Sequence, residues 1–135
     1  MNNDDIFSKA EAEMKLDKGF VHNNNYKLIE VKDNYCKLEG IMTKTSLNPY
    51  NMAHGGYIFG LADTAAGIAS RTNGRIALTL GANINYLKKA TGQKLIAEAQ
   101  VLKAGRTIST YEVSIYNENQ ILVAKSTIDY CYIEK

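Results

Sequence analysis

The chain has 135 residues, 45% apolar and 22% charged, with nine Tyr, one Pro and no Trp. That usage excludes a disordered or low-complexity chain, and the length leaves room for one domain over residues 1–135 that buries about two thirds of its surface on folding. Sixteen Lys and Arg against 14 Asp and Glu leave a net charge of +2, and the dispersed cations argue against a nucleic-acid partner.

The first five residues carry two acids and no apolar stretch of signal-peptide length. Nowhere do 18 apolar residues run together, so the expectation is a soluble, cytoplasmic protein with no membrane partner. Cys36 and Cys131 lack the close spacing of a metal or redox pair and are expected to be reduced, mostly buried thiols.

In chain order, Ile6, Ala10 and Met14 recur at four-residue spacing after an acidic start, which predicts an amphipathic helix over residues 5–18 with Gly19 as its stop. Residues 26–33 and 35–43 are β-leaning runs divided at Asp33-Asn34, a turn-forming pair, and predict a hairpin. After an Asn-rich loop, Gly55-Gly56 opens a helix over residues 55–72, closed by Gly74. Between Tyr57 and Ser70 its only charged side chain is Asp63, so the helix is expected to be wrapped by other elements. Residues 76–86, 94–103, 107–116 and 120–133 then predict four strands, the last in short-turn succession and therefore antiparallel. The fold class is α+β: a curved antiparallel sheet wrapping one long central helix, with a short N-terminal helix.

Two features bear on chemistry. Asp63 is a carboxylate in an otherwise apolar helix, a costly placement unless the group has partners or reaches a cleft or solvent. His54-Gly55-Gly56 stands at the helix start, where unpaired N–H groups and the positive dipole end favour a developing oxyanion. The competing reading of that tripeptide is a tight entry into a crowded helix, with His54 as a hydrogen-bonding brace.

The string Leu47-Asn48-Pro49-Tyr50-Asn51-Met52-Ala53-His54-Gly55-Gly56, then Phe59 and Leu61-Ala62-Asp63-Thr64, resembles the motif of the hotdog-fold acyl-CoA thioesterases of the phenylacetate-pathway type, within the 4-hydroxybenzoyl-CoA thioesterase-like superfamily. Asn83-Ile84-Asn85-Tyr86-Leu87 resembles the strand that follows the helix in that family, while Lys88-Lys89 stands where relatives often have Pro. The resemblance implies the hotdog fold and hydrolysis of an acyl- or aryl-CoA to a free acid and CoA, with no metal and no organic cofactor, CoA being part of the substrate.

By position, the resemblance makes Asp63 the general base or nucleophile, with the Gly55 N–H polarising the thioester carbonyl. Asn48 adds a side-chain amide donor or holds the site in place, and Thr79 falls where relatives can carry a Ser that helps position water; His54 completes the catalytic set, read as its structural brace. Gly56, Phe59, Thr64 and Asn83 are expected beside the substrate, with Tyr57, Ile58 and Leu61 in the acyl pocket. Lys88, Lys89, Lys103 and Arg106, in or beside predicted turns, are the candidates for the CoA phosphates.

Gly55 and Asp63 are eight residues apart, or about 12 Å along one helix. They do not reach one thioester group together, so a site that uses both draws them from two chains of a homodimer. Family precedent adds pairing of dimers into tetramers. The competing class is a non-catalytic acyl-CoA-binding or sensing module. No Gly-x-Ser-x-Gly elbow is present to offer a serine nucleophile.

Overall fold

The computed structural model describes residues 2–134. Six strands form one antiparallel sheet in the order β1-β2-β4-β5-β6-β3. They are β1 (Tyr26–Lys32), β2 (Tyr35–Ile41), β3 (Ile76–Tyr86), β4 (Lys94–Lys103), β5 (Ile108–Asn117) and β6 (Leu122–Ile133). The central helix α3 (Gly55–Ser70) follows β2 and precedes β3, at the far edge of the sheet, so the chain crosses a whole sheet face through this helix. This is the hotdog arrangement expected from the sequence.

The helix packs so closely because it is small. Leu61, Ala62, Ala65, Ala66 and Ala69 are fully buried, facing a core that includes Leu38, Leu95, Tyr111, Val113, Ile115, Val123 and Ile128. Five tyrosines also dock α3 by its backbone carbonyls: the hydroxyls of Tyr86, Tyr26, Tyr130, Tyr111 and Tyr132 reach the carbonyls of Gly55, Tyr57, Asp63, Ala69 and Ser70 at 2.9, 2.7, 2.8, 3.5 and 3.0 Å. The helix ends at Ser70 rather than at residue 72. There the Ser70 and Thr72 hydroxyls donate to the Gly67 and Ala69 carbonyls, and the turn closes at Gly74 with φ 84°.

The N-terminal helix α1 spans Asn3–Leu16, two residues ahead of the expected bounds, because the Asn2 side chain caps it by accepting from the Asp5 N–H. Gly19 is not its stop. The Asp17 carboxylate accepts from the Gly19 and Val21 N–H groups and opens a short helical turn, α2 (Phe20–Asn23), which local pattern did not predict. The β1–β2 hairpin turns at Asp33-Asn34 as expected, with Asn34 at φ 57°.

Among the described residues strand β3 has one neighbour, β6, and its other edge is open. Leu78 and Leu80 are 56% and 57% exposed along it. Cys36 is buried and Cys131 half-buried, both free, and burial pushes the Cys36 thiol well above its ordinary range. Among the described residues no helix is long and apolar enough to cross a membrane.

Candidate active site

The loop before α3 is built by one side chain. Asn48 begins a turn closed by the Asn51 N–H on its carbonyl at 3.1 Å, with Pro49 at the second position and Asn51 at φ 60°. The Asn48 Oδ1 accepts from the Tyr50 and Met52 N–H groups at 2.9 and 3.1 Å. Its acceptor is thereby used internally, and the Nδ2 amine is the end left to donate outward.

His54 is the N-cap of α3, in extended backbone, and its Nδ1 accepts from the Gly56 N–H at 2.8 Å. That bond assigns the ring proton to Nε2 and makes His54 a brace for the loop. It also takes up the Gly56 donor, leaving Gly55, at the first helical position, with an N–H that no carbonyl within α3 satisfies. Tyr86 holds Gly55 from the end of β3 by the 2.9 Å bond to its carbonyl, and burial pushes that phenol up, keeping it a donor. A Cβ at Gly55 would stand 3.3 Å from the Tyr86 ring, so this position favours glycine by close approach.

Asn48, Gly55, Ile58, Tyr86, Lys88 and Lys89 line one pocket of ≈ 350 Å³. Two amide donors, an apolar wall and two exposed cations therefore meet at the helix N-terminus. Lys103 and Arg106 do not join them: Lys103 is exposed at the end of β4, and Arg106 lines a separate cleft with Arg75 and Glu134. Tyr57 and Leu61 face the core, Gly56 is exposed, and Phe59 is half-buried. Thr64 donates its hydroxyl to the Gly60 carbonyl, and Asn83 lies exposed on β3 opposite Thr127.

Asp63 does not line that pocket. Half-buried on α3, it turns toward the open sheet edge, where its Oδ1 accepts from Thr79 at 2.8 Å and from Tyr130 at 2.7 Å. Thr79 and Tyr130 are register partners on β3 and β6, so their side chains leave the same face of the sheet. Immediately after Thr79 the register shifts by one residue at a bulge, a device that re-aims side chains.

Tyr86 and Tyr130 are the two participants to which the sequence assigns no role. Tyr86 lies within the segment Asn83–Leu87 that carries the family resemblance, but its bond to Gly55 spans 31 positions. Tyr130 is one of nine tyrosines, marked by nothing local. A second cavity, between α1 and the C-terminal end of α3, is lined by Ile6, Lys9, Arg71 and Arg75, and its Arg71 is already paired with Glu13.

Known proteins share this architecture. Residues 50–124 match the Thioesterase superfamily model. A putative esterase of Archaeoglobus fulgidus is 39% identical over 73% of this chain and 64% of its own, so the match spans less than two thirds of that relative. The acyl-coenzyme A thioesterase PaaI of Escherichia coli is 32% identical over 72% of this chain and 70% of its own. The solved structure of the E. coli PaaI protein superposes with a TM-score of 0.92 over 99% of this chain and 97% of its own, at 25% identity. A Streptococcus mutans protein, solved bound to acetyl CoA, gives 0.78 over 82% and 90%, at 32% identity. The chain belongs to the thioesterase superfamily.

Proposed function

We propose that the protein is an acyl-CoA thioesterase that works as a homodimer with composite sites. The observation that carries the reading is the division within one chain: oxyanion donors and cations at the start of α3, and a hydrogen-bonded carboxylate about 12 Å further along the helix, beside an open strand edge. Edge-to-edge pairing of β3 with β3 of a second chain covers Leu78 and Leu80 and brings each Asp63 toward the other chain's Gly55 pocket. Acetyl CoA in the Streptococcus neighbour and the activity named for the E. coli relative support an acyl-CoA as the ligand.

In the reaction, the thioester carbonyl oxygen takes hydrogen bonds from the Gly55 N–H and the Asn48 amide, which strengthen as it becomes an oxyanion. Asp63 removes a proton from water. The water oxygen bonds to the carbonyl carbon, the C–S bond breaks with its electron pair on sulfur, and the proton passes to the leaving thiolate. In the nucleophilic variant the Asp63 carboxylate bonds to that carbon first, expelling CoA, and water then cleaves the resulting anhydride. Either route consumes only water and needs no cofactor. Lys88 and Lys89, at the pocket rim, hold the CoA phosphates. Lys103 and Arg106 lie outside this arrangement.

The test is thiol release from acyl-CoAs running from acetyl to long-chain and aryl. Turnover of at least one, lost in Asp63→Asn, supports the assignment. Tight binding without thiol release would make the protein an acyl-CoA-binding module instead.

A further inference from the structure

We propose that Tyr130 is a positioning residue for the hydrolytic carboxylate: with Thr79 it engages one oxygen of Asp63, Oδ1, and so leaves Oδ2 as the oxygen that meets water or the thioester carbon. This deepens the thioesterase reading and rests on it.

The geometry is specific to this tyrosine. All five docking phenols reach a carbonyl of α3, but Tyr130 alone also stands 2.7 Å from a carboxylate oxygen, against 2.8 Å from the Asp63 carbonyl. One hydroxyl has one proton, and a charged acceptor binds it more strongly than an amide carbonyl already used within the helix. Thr79 donates to the same oxygen at 2.8 Å, while among the described residues no group donates to Oδ2.

The phenol is well held. Its ring is 1% exposed and meets Tyr111 edge-on at 6.1 Å, and Tyr111 is itself anchored by a 2.7 Å bond to Asn34. On the helix side the ring passes over Gly67, one turn beyond Asp63, where a Cβ would lie 3.7 Å from it. Burial, and next the negative charge of Asp63, push the phenol far above its ordinary range, so it remains a donor throughout any working pH. An Asp side chain on a helix has free rotation about two bonds. Two donors on one oxygen remove that freedom and orient the other oxygen before substrate arrives.

The test compares Tyr130→Phe, which keeps the ring, with the wild type on the best substrate of the acyl-CoA panel. Misplacement of a reacting group by an ångström costs up to about 10²-fold, so kcat is expected to fall by roughly 10- to 10²-fold with KM within about twofold. A kcat within twofold of wild type overturns the proposal, as does a change confined to KM.

A second measurement needs no turnover. The hydroxyl proton of Tyr130, identified by its loss in Tyr130→Phe, is expected to exchange slowly and to move upfield in Asp63→Asn, where the charged acceptor is gone. A resonance indifferent to Asp63→Asn shows the phenol serving only the backbone carbonyl and overturns the proposal. Inertness of the wild type toward the whole panel would defeat the thioesterase reading, while the proton resonance still decides whether the clamp exists.

Discussion

A dimer with shared sites makes a prediction that neither parent variant alone reveals. Asp63→Asn removes the carboxylate proposed as base or nucleophile while keeping the side chain's shape. Gly55→Pro removes the N–H proposed to polarise the carbonyl, and the local backbone accepts it: His54 is already at ψ 138°, the extended conformation required before proline, and the first helical turn suits proline. The local cost is contact with the Tyr86 ring, 3.3 Å from a Cβ at Gly55, so folding is checked first. Loss of one oxyanion donor costs about 10²- to 10³-fold in turnover, and loss of the general base about 10²- to 10⁴-fold. Each homodimer is therefore nearly inactive.

In a mixed dimer one site carries both defects and the other carries neither. Equal random mixing makes half the dimers mixed, with half of their sites intact, so co-refolded protein should recover roughly one quarter of wild-type activity. Thiol release is the assay, with native mass spectrometry to confirm mixing. Confirmed mixed dimers whose activity stays at the level of the parents would refute the shared site and place Asp63 and Gly55 in unrelated roles.

Other expectations follow from single contacts. Asn48→Asp keeps the oxygen that accepts from Tyr50 and Met52 but replaces the outward donor with a negative charge, so turnover should fall by about 10²- to 10³-fold without loop collapse; kinetics beside a thermal melt will tell, and an effect on KM alone would make Asn48 a ground-state contact. Leu80→Lys on the open edge of β3 forgoes burial of one Leu per chain, about 3 kcal/mol per dimer or roughly 10²-fold in Kd; sedimentation should show dissociation accompanied by loss of activity, and an active monomer would end the composite reading. Tyr57→Phe deletes a buried hydroxyl whose one candidate partner among the described residues, the Ser46 side chain, does not reach hydrogen-bond geometry, so stability should hold or rise by about 1 kcal/mol, and denaturant unfolding showing a loss above that size would reveal a bond to Ser46.

Much of this fold is legible in the chain because its signals are local. A run of small and apolar residues from Tyr57 to Ser70 has no way to be stable except inside a wrapping sheet, and Asp33-Asn34 turns a hairpin by its own backbone preference. The separation of Gly55 from Asp63 follows from helical rise alone, which is why a two-chain site is arguable from the amino-acid order by itself. The half proposed to hold the oxyanion is legible for the same reason, since Asn48, His54 and Gly55 are sequence neighbours shaping one loop.

Tertiary structure decided what depends on register and on which ends meet. Thr79 and Tyr130 converge on Asp63 only because β3 pairs with β6 in the register that sets them opposite one another, and no periodicity within either strand encodes that pairing. Lys88 and Lys89 are carried to the Gly55 pocket by the end of β3, whereas Lys103 and Arg106, equally placed beside turns, are carried away from it. The α2 turn rests on two hydrogen bonds to the Asp17 carboxylate, which compete with continuation of α1. In each case the deciding free energy lies in contacts between segments far apart in the chain or in one side chain's choice among equivalent local partners, and a sequence pattern averages over such contacts.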